Sequence, residues 1–190
     1  HLQALLKKDS SSPTEKALAI RNDIHHIPID PSAESILTEV WADVSDDGQR
    51  PLAIRSSATD EDGKNFSFAG QMESFLNIRS KEDFRKAVLN CWASFFIDRA
   101  VLYRTQNQLD PWRISMAVIV QQMIEAEVSG VIFSVNTLNG NHQEMLISST
   151  WGLGEGLVSG QLDADTFAVS KGGQILKSDI AEKRQAVVYN

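Results

Sequence analysis

The chain has 190 residues, enough for one generous domain or two small lobes with a real core. Its hydrophobic content of 42% and charged content of 23% are ordinary for a soluble globular protein. A formal net charge of −7, with no run of lysine or arginine, argues against a nucleic-acid binder. No apolar stretch approaches the roughly 20 residues of a membrane span, and no secretory signal pattern opens the chain. The single cysteine, Cys91, lies in an apolar helical pattern and reads as a buried thiol in a reducing, cytoplasmic compartment.

Residues 1–50 read as helical. Ser12-Pro13-Thr14-Glu15 carries an N-cap, a proline at the first helical position and a glutamate three residues beyond the cap. Ala17, Ile20 and Ile24 then form a helical stripe. Asp30-Pro31 starts a second helix, with Ile36, Leu37, Val40 and Trp41 on one side and a stop at Asp46-Asp47-Gly48. Residues 51–57 read as a strand, 58–70 as a long loop, and Phe75, Leu76 and Ile78 as a second strand. Ser80 caps the strongest helix, in which Phe84, Val88, Cys91, Trp92, Phe95 and Phe96 recur at spacings of three and four; Tyr103 continues the same broad face.

From Ile114 the pattern turns to strands: 114–124, 128–135 and 145–149, with a turn at Asn139-Gly140-Asn141. Residues 151–160 hold four glycines in ten. Residues 167–176 read as a hairpin and 185–189 as one more strand. The expected organisation is a helical segment at 1–50, a first lobe at 51–113 and a mainly β second lobe at 114–190. Because the chain opens on His1 rather than Met and patterned sequence runs up to Asn190, it is expected to be a piece of a longer protein, cut at both ends.

The most informative stretch is Ile54-Arg55-Ser56-Ser57-Ala58-Thr59-Asp60-Glu61-Asp62, followed by Ser67-Phe68-Ala69-Gly70-Gln71. An arginine leaving an apolar strand offers a fixed fork to two phosphate oxygens. The hydroxyls and loop amides can donate to the remaining oxygens, and small side chains let the backbone come close. The competing reading is an arginine paired with the Asp60–Asp62 cluster on a surface turn. These three carboxylates could in principle bind magnesium, but helix capping or pairing with Arg55, Lys64 or Arg79 is the favoured reading. Glu155 reads as shaping a wall, and Trp151 as packing.

The ordered set of strings resembles the nucleotide-binding domain of phosphoenolpyruvate synthase and pyruvate phosphate dikinase, which rifampicin phosphotransferases share. The resemblance rests on Arg55-Ser-Ser-Ala-Thr-Asp-Glu-Asp, Ser67-Phe-Ala-Gly-Gln and Glu73-Ser-Phe-Leu-Asn77. It continues in Cys91-Trp-Ala-Ser94, Arg99-Ala-Val-Leu-Tyr-Arg104, Val120-Gln-Gln-Met123, Ser129-Gly-Val-Ile-Phe133 and Trp151-Gly-Leu-Gly-Glu-Gly-Leu-Val-Ser-Gly160. It implies an α+β, ATP-grasp-like fold, with ATP in a cleft between two small lobes.

By that resemblance Arg55 contacts the nucleotide phosphates, and Gly70 and Ser74 lie on the loop that closes over them. Gln121 contacts the nucleotide from a hinge strand at 118–124, whose end at Met123 flanks adenine. The implied cofactors are ATP and Mg²⁺. The implied partner is a phosphohistidine domain of the same parent chain, which passes the phosphoryl group to pyruvate or, in the antibiotic-modifying branch, to rifampicin.

The family's lysine, its Gln-x-Arg pair and the glutamate that holds magnesium fall outside these residues. No catalytic residue is therefore expected here, the magnesium ligands stay unassigned, and the fragment alone is expected to be inactive. One departure is informative. Phosphate-using dikinases follow the 129–133 strand with Thr-Arg-Asn-Pro, whereas this chain has Ser134-Val135-Asn136-Thr137. That lowers the standing of a phosphate-dependent dikinase. A stand-alone nucleotide-binding module that never catalyses is the reading from a different class.

Overall fold

A computed structural model describes residues 12–58, 73–110, 112 and 116–189. The chain divides into two compact units, His1–Met123 and Ile124–Asn190. Both mix helix with sheet or carry a sheet of their own, so the α+β class holds.

In the first unit, α1 (Pro13–Ile24) begins with the expected capping box. Ser12 Oγ accepts from Glu15 N–H at 3.3 Å, and Glu15 Oε2 accepts from Ser12 N–H at 3.0 Å. Helix α2 (Pro31–Ser45) starts at the Asp30 cap and ends in left-handed backbone at Asp46 and Asp47. Gly48 follows at φ 89°, where an added Cβ would stand 3.3 Å from the Trp41 ring. Glycine is required there both by the backbone sign and by the packed indole.

Strand β1 (Leu52–Ala58) lies between β2 (Ser74–Ile78) and β3 (Met116–Gln122), antiparallel to both. The strand expected to open a second lobe at residue 114 thus lies in the first unit, because β3 pairs with all seven residues of β1. One face of this sheet is the core: Leu52, Ile54, Phe75, Ile78, Val118 and Val120 pack with Trp41, Phe84, Val88 and Cys91 of the helices. Trp41 and Phe84 meet at 5.6 Å between ring centroids. A second cluster joins Ala17, Ile20 and Ile24 to Leu89, Phe95, Phe96 and Val101.

The long helix expected from Lys81 through Tyr103 is two helices, α3 (Lys81–Ser94) and α4 (Asp98–Gln106). The break is stabilised by Arg104, which is buried. Its Nη2 donates to the Phe95 carbonyl, and its guanidinium lies 3.7 Å from the Phe95 ring centroid. A buried cation thus satisfies a carbonyl that the helix end leaves without an intrahelical donor.

The second unit is an antiparallel sheet ordered β4 (Val128–Phe133), β5 (Glu144–Trp151), β6 (Asp165–Ser170) and β7 (Ile175–Asp179). A short helix, α5 (Glu155–Val158), follows β5. The strand expected at 185–189 is reduced to one bridge, where Leu153 N–H donates to Val187 O at 2.8 Å. No described helix is long and apolar enough to cross a membrane.

Candidate nucleotide-binding site

The first sheet has one face against the helices and one face away from them, and strand alternation decides which residues share the open face. Leu52 and Ile54 face the core, so Ala53, Arg55 and Ser57 take the other side. On β3 the same rule sends Val118 and Val120 inward and Ala117, Ile119 and Gln121 outward. Register then aligns them: Arg55 lies directly opposite Ser74 on one side and Ile119 on the other, while Ala53 faces Gln121. Cross-strand partners stand about 4.5–5.5 Å apart at Cβ and diagonal ones about 7–8 Å. Arg55, Ser74 and Gln121, three residues of the expected site, therefore form one patch. All three are exposed, and among the described residues Arg55 has no ion-pair partner.

Met123 follows β3 and stays tied to this sheet. Its N–H donates to Pro51 O at 2.8 Å, and its Sδ accepts from Asn77 N–H at 2.9 Å. Asn77 has φ 57° and sits beside the register shift between Leu52 and Ile54, so the thioether marks the bulge in β1–β2. At this end Ala53 is only 5% exposed, although its face is open further along at Arg55.

Alternation also separates neighbours that the sequence left equivalent. Of the adjacent hydroxyls, Ser57 shares Arg55's face and Ser56 turns to the helix side. Of the two glutamines, Gln122 belongs to the scaffold. Its Nε2 donates to Val44 O at 2.9 Å, near the end of α2, and its Oε1 accepts from Arg50 at 3.2 Å. Gln121 is left exposed for another use. Gly70 and the Asp60–Asp62 cluster lie outside the described residues, as do the residues between them.

Magnesium finds no home among the described residues: no group of three or more His, Cys, Asp or Glu side chains converges. Glu155 is engaged structurally, accepting a 2.5 Å hydrogen bond from Tyr189 Oη. Burial and the Glu155 carboxylate push the Tyr189 hydroxyl up to about 12. Trp151, expected to pack, is 48% exposed and carries Lys183 Nζ 5.6 Å from its ring centroid. Its ring stands on a strand face that this unit does not bury, which is why packing alone does not describe it.

The glycine-rich stretch is a packing device. At Gly152 (φ 74°) a Cβ would stand 2.3 Å from Val187 O, and at Gly156 one would stand 2.5 Å from Leu162 Cδ1. Asn136, which holds the place of the asparagine in the family's Thr-Arg-Asn-Pro, is a buried hub. Its Nδ2 donates to Glu144 Oε2 at 2.7 Å and its Oδ1 accepts from Leu138 N–H at 3.1 Å. Asn141 Nδ2 reaches the other Glu144 oxygen at 2.8 Å. These bonds, Asn136 first, hold the Glu144 carboxyl below its ordinary range. Cys91 is buried, and burial pushes its thiol up to about 12, with the charge of Glu73 adding to the shift.

Comparison with known proteins agrees with the residue pattern. Residues 1–190 match the family described as pyruvate phosphate dikinase, AMP/ATP-binding domain. A probable phosphoenolpyruvate synthase from Methanothermobacter thermautotrophicus is 48% identical over 133 residues, covering 70% of this chain and 19% of the relative. The phosphoenolpyruvate synthase of Pyrococcus furiosus is 34% identical over 183 residues, 95% of this chain and 22% of the relative. The rifampicin phosphotransferase of Bacillus subtilis is 44% identical over 139 residues, 73% of this chain and 16% of the relative. The chain therefore spans about a fifth of these curated relatives. With the whole chain matched, it belongs to the family of pyruvate phosphate dikinase AMP/ATP-binding domains.

Proposed function

We propose that this chain is the ATP-binding part of a phosphoenolpyruvate synthase (pyruvate, water dikinase). In the complete protein, ATP donates a phosphoryl group to a histidine on another domain, which hands it to pyruvate. With water as co-reactant, the products are phosphoenolpyruvate, AMP and phosphate. The chain contributes an ATP-grasp-like nucleotide site and no catalytic group of its own. Arg55 holds phosphate oxygens with its fork, Ser57 and Ser74 add hydroxyl donors, and Gln121 and Met123 meet the base end of the nucleotide. Gly70 belongs to the closing loop. Magnesium would be held by residues other than those described. The protein works in the cytoplasm, a reading supported by the low cysteine content, a single buried thiol.

The observation that carries this reading is the register that puts Arg55, Ser74 and Gln121 on one open sheet face. The likeness to rifampicin phosphotransferase supports a second acceptor, an antibiotic hydroxyl, with the same nucleotide site. Replacing Arg55 tests the site shared by both. In the full-length protein Arg55→Ala is expected to weaken ATP binding by about 1.5–3 kcal/mol, the range for hydrogen bonds to charged groups. Unchanged affinity by calorimetry removes Arg55 from the site. Assaying pyruvate and rifampicin as acceptors then separates the two activities.

A further inference from the structure

Ile119 lies on the same face, on an outer strand of the sheet. It is the cross-strand partner of Arg55 and is 45% exposed. Its strand neighbours Val118 and Val120 pack into the core, and Ile119 belongs to neither buried cluster. A single exposed apolar residue is ordinary on a protein surface. The position of this one is what matters: it neighbours both polar groups, Arg55 across the strand pair and Gln121 two residues along β3. Arg55 and Gln121 stand on a diagonal of about 7–8 Å between Ile119 and Ala53, and Ala53 is nearly buried, so a ligand touching both polar groups has the isoleucine as its exposed apolar neighbour.

We infer that Ile119 is a specificity-determining residue, an apolar floor on which the nucleoside portion of the nucleotide rests. This rests on the reading of Arg55 as the phosphate anchor. The branched side chain suits the task physically. Its two carbon arms are stiff at the first side-chain torsion, so the surface is preformed, and the flat face of a purine or the carbon edge of a ribose would cover it. Phosphate alone gains nothing from such a surface. Ile119 thus adds affinity only for ligands that carry a nucleoside.

The experiment compares ATP with inorganic tripolyphosphate, using calorimetry on the full-length protein. Valine and threonine are near-identical in shape and both keep β-branching, so Ile119→Val and Ile119→Thr differ in polarity at constant volume. Ile119→Thr is expected to weaken ATP binding about tenfold and leave tripolyphosphate unchanged; Ile119→Val should lose at most about fourfold, one methylene's worth. Arg55→Ala should weaken both ligands. If Ile119→Thr binds ATP like wild type, or loses both ligands equally, the inference fails while the anchor stands. If Arg55→Ala changes neither ligand, the underlying site reading fails instead. Melting temperatures of the variants serve as the folding control, and they should match wild type because Ile119 lies outside the core.

Discussion

The two units bury their apolar residues to very different degrees. In the first, two clusters drawn from four helices and three strands sequester Ile20, Leu52, Ile54, Phe84, Phe95 and Phe96 almost completely. In the second, Leu146 and Val169 are the buried apolar residues among those described, while Val128, Ile132 and Ile175 are 60% or more exposed. The second unit is held instead by its ladders and by polar ties. Lys183 Nζ donates to Asp165, Thr150 Oγ1 donates to Asp163 O at 2.8 Å, and Tyr189 donates to Glu155. A helix layer makes the difference: it covers one face of the first sheet and frees the other to carry Arg55, Ser74 and Gln121. Burial on one side is what makes an open, preformed face on the other side affordable.

Substitutions of similar size should therefore have unequal effects in the two units. Phe84→Ala removes a buried ring packed on Trp41 and is expected to cost about 3–5 kcal/mol. Ile132→Ala, on the exposed face of β4, should stay within about 0.5 kcal/mol. Urea midpoints by circular dichroism measure both. Equal losses would mean that the second sheet is as well buried as the first, against the exposures above.

Backbone crowding gives the second unit its own sensitive point. Gly152→Ala combines left-handed φ with a Cβ 2.3 Å from Val187 O, and overpacking of this kind costs about 1–3 kcal/mol. Gly160 has nearly the same φ, 71°, with nothing within 4 Å of an added Cβ, so Gly160→Ala should cost only about 1 kcal/mol from conformation. If the two variants melt together, the Val187 contact contributes nothing and the glycine-rich stretch is governed by φ alone.

Much of this architecture was legible in the residues. The capping box at Ser12, the Asp30 and Ser80 caps and the Trp41 core position followed from local chemistry that the fold does not override. The pairing of β1 with β3 did not. It joins residues more than fifty positions apart, and no local signal reports which distant strand completes a sheet. The break between α3 and α4 was hidden for a related reason. Phe95 and Phe96 continue a helical apolar pattern, and only Arg104, buried beneath them, gives the Phe95 carbonyl its donor. At the site, the string around Arg55 suggested the phosphate anchor proposed above, while the separation of Gln121 from Gln122 needed the register. The period-two pattern of Val118 and Val120 was the signal that could have supplied it.

Titration offers the gentlest probe of the contrast. The Lys183 hydrogen bond holds the Asp165 carboxyl below its ordinary value, and Asn136 does the same for Glu144. Both contribute stability that is present above the unfolded carboxyl range near 4 and is lost as pH falls through their lowered values. Tyr189, raised to about 12, contributes below the unfolded phenol value near 10 and loses that contribution as pH rises from there through 12. Among the described residues the first unit has one comparable carboxylate, Asp30, lowered by Ser32 at the start of α2, away from the sheet. Its Cys91 thiol, also raised to about 12, weakens the folded state only above the free thiol range near 9. Between about pH 6 and pH 3, hydrogen-exchange protection, corrected for intrinsic rates, should therefore fall in β5 and β6 before it falls in β1 and β3. Acid loss that begins in β1 would show that carboxylate ties do not distinguish the second unit, and Asp165→Asn should abolish part of the difference by removing the charge that Lys183 answers.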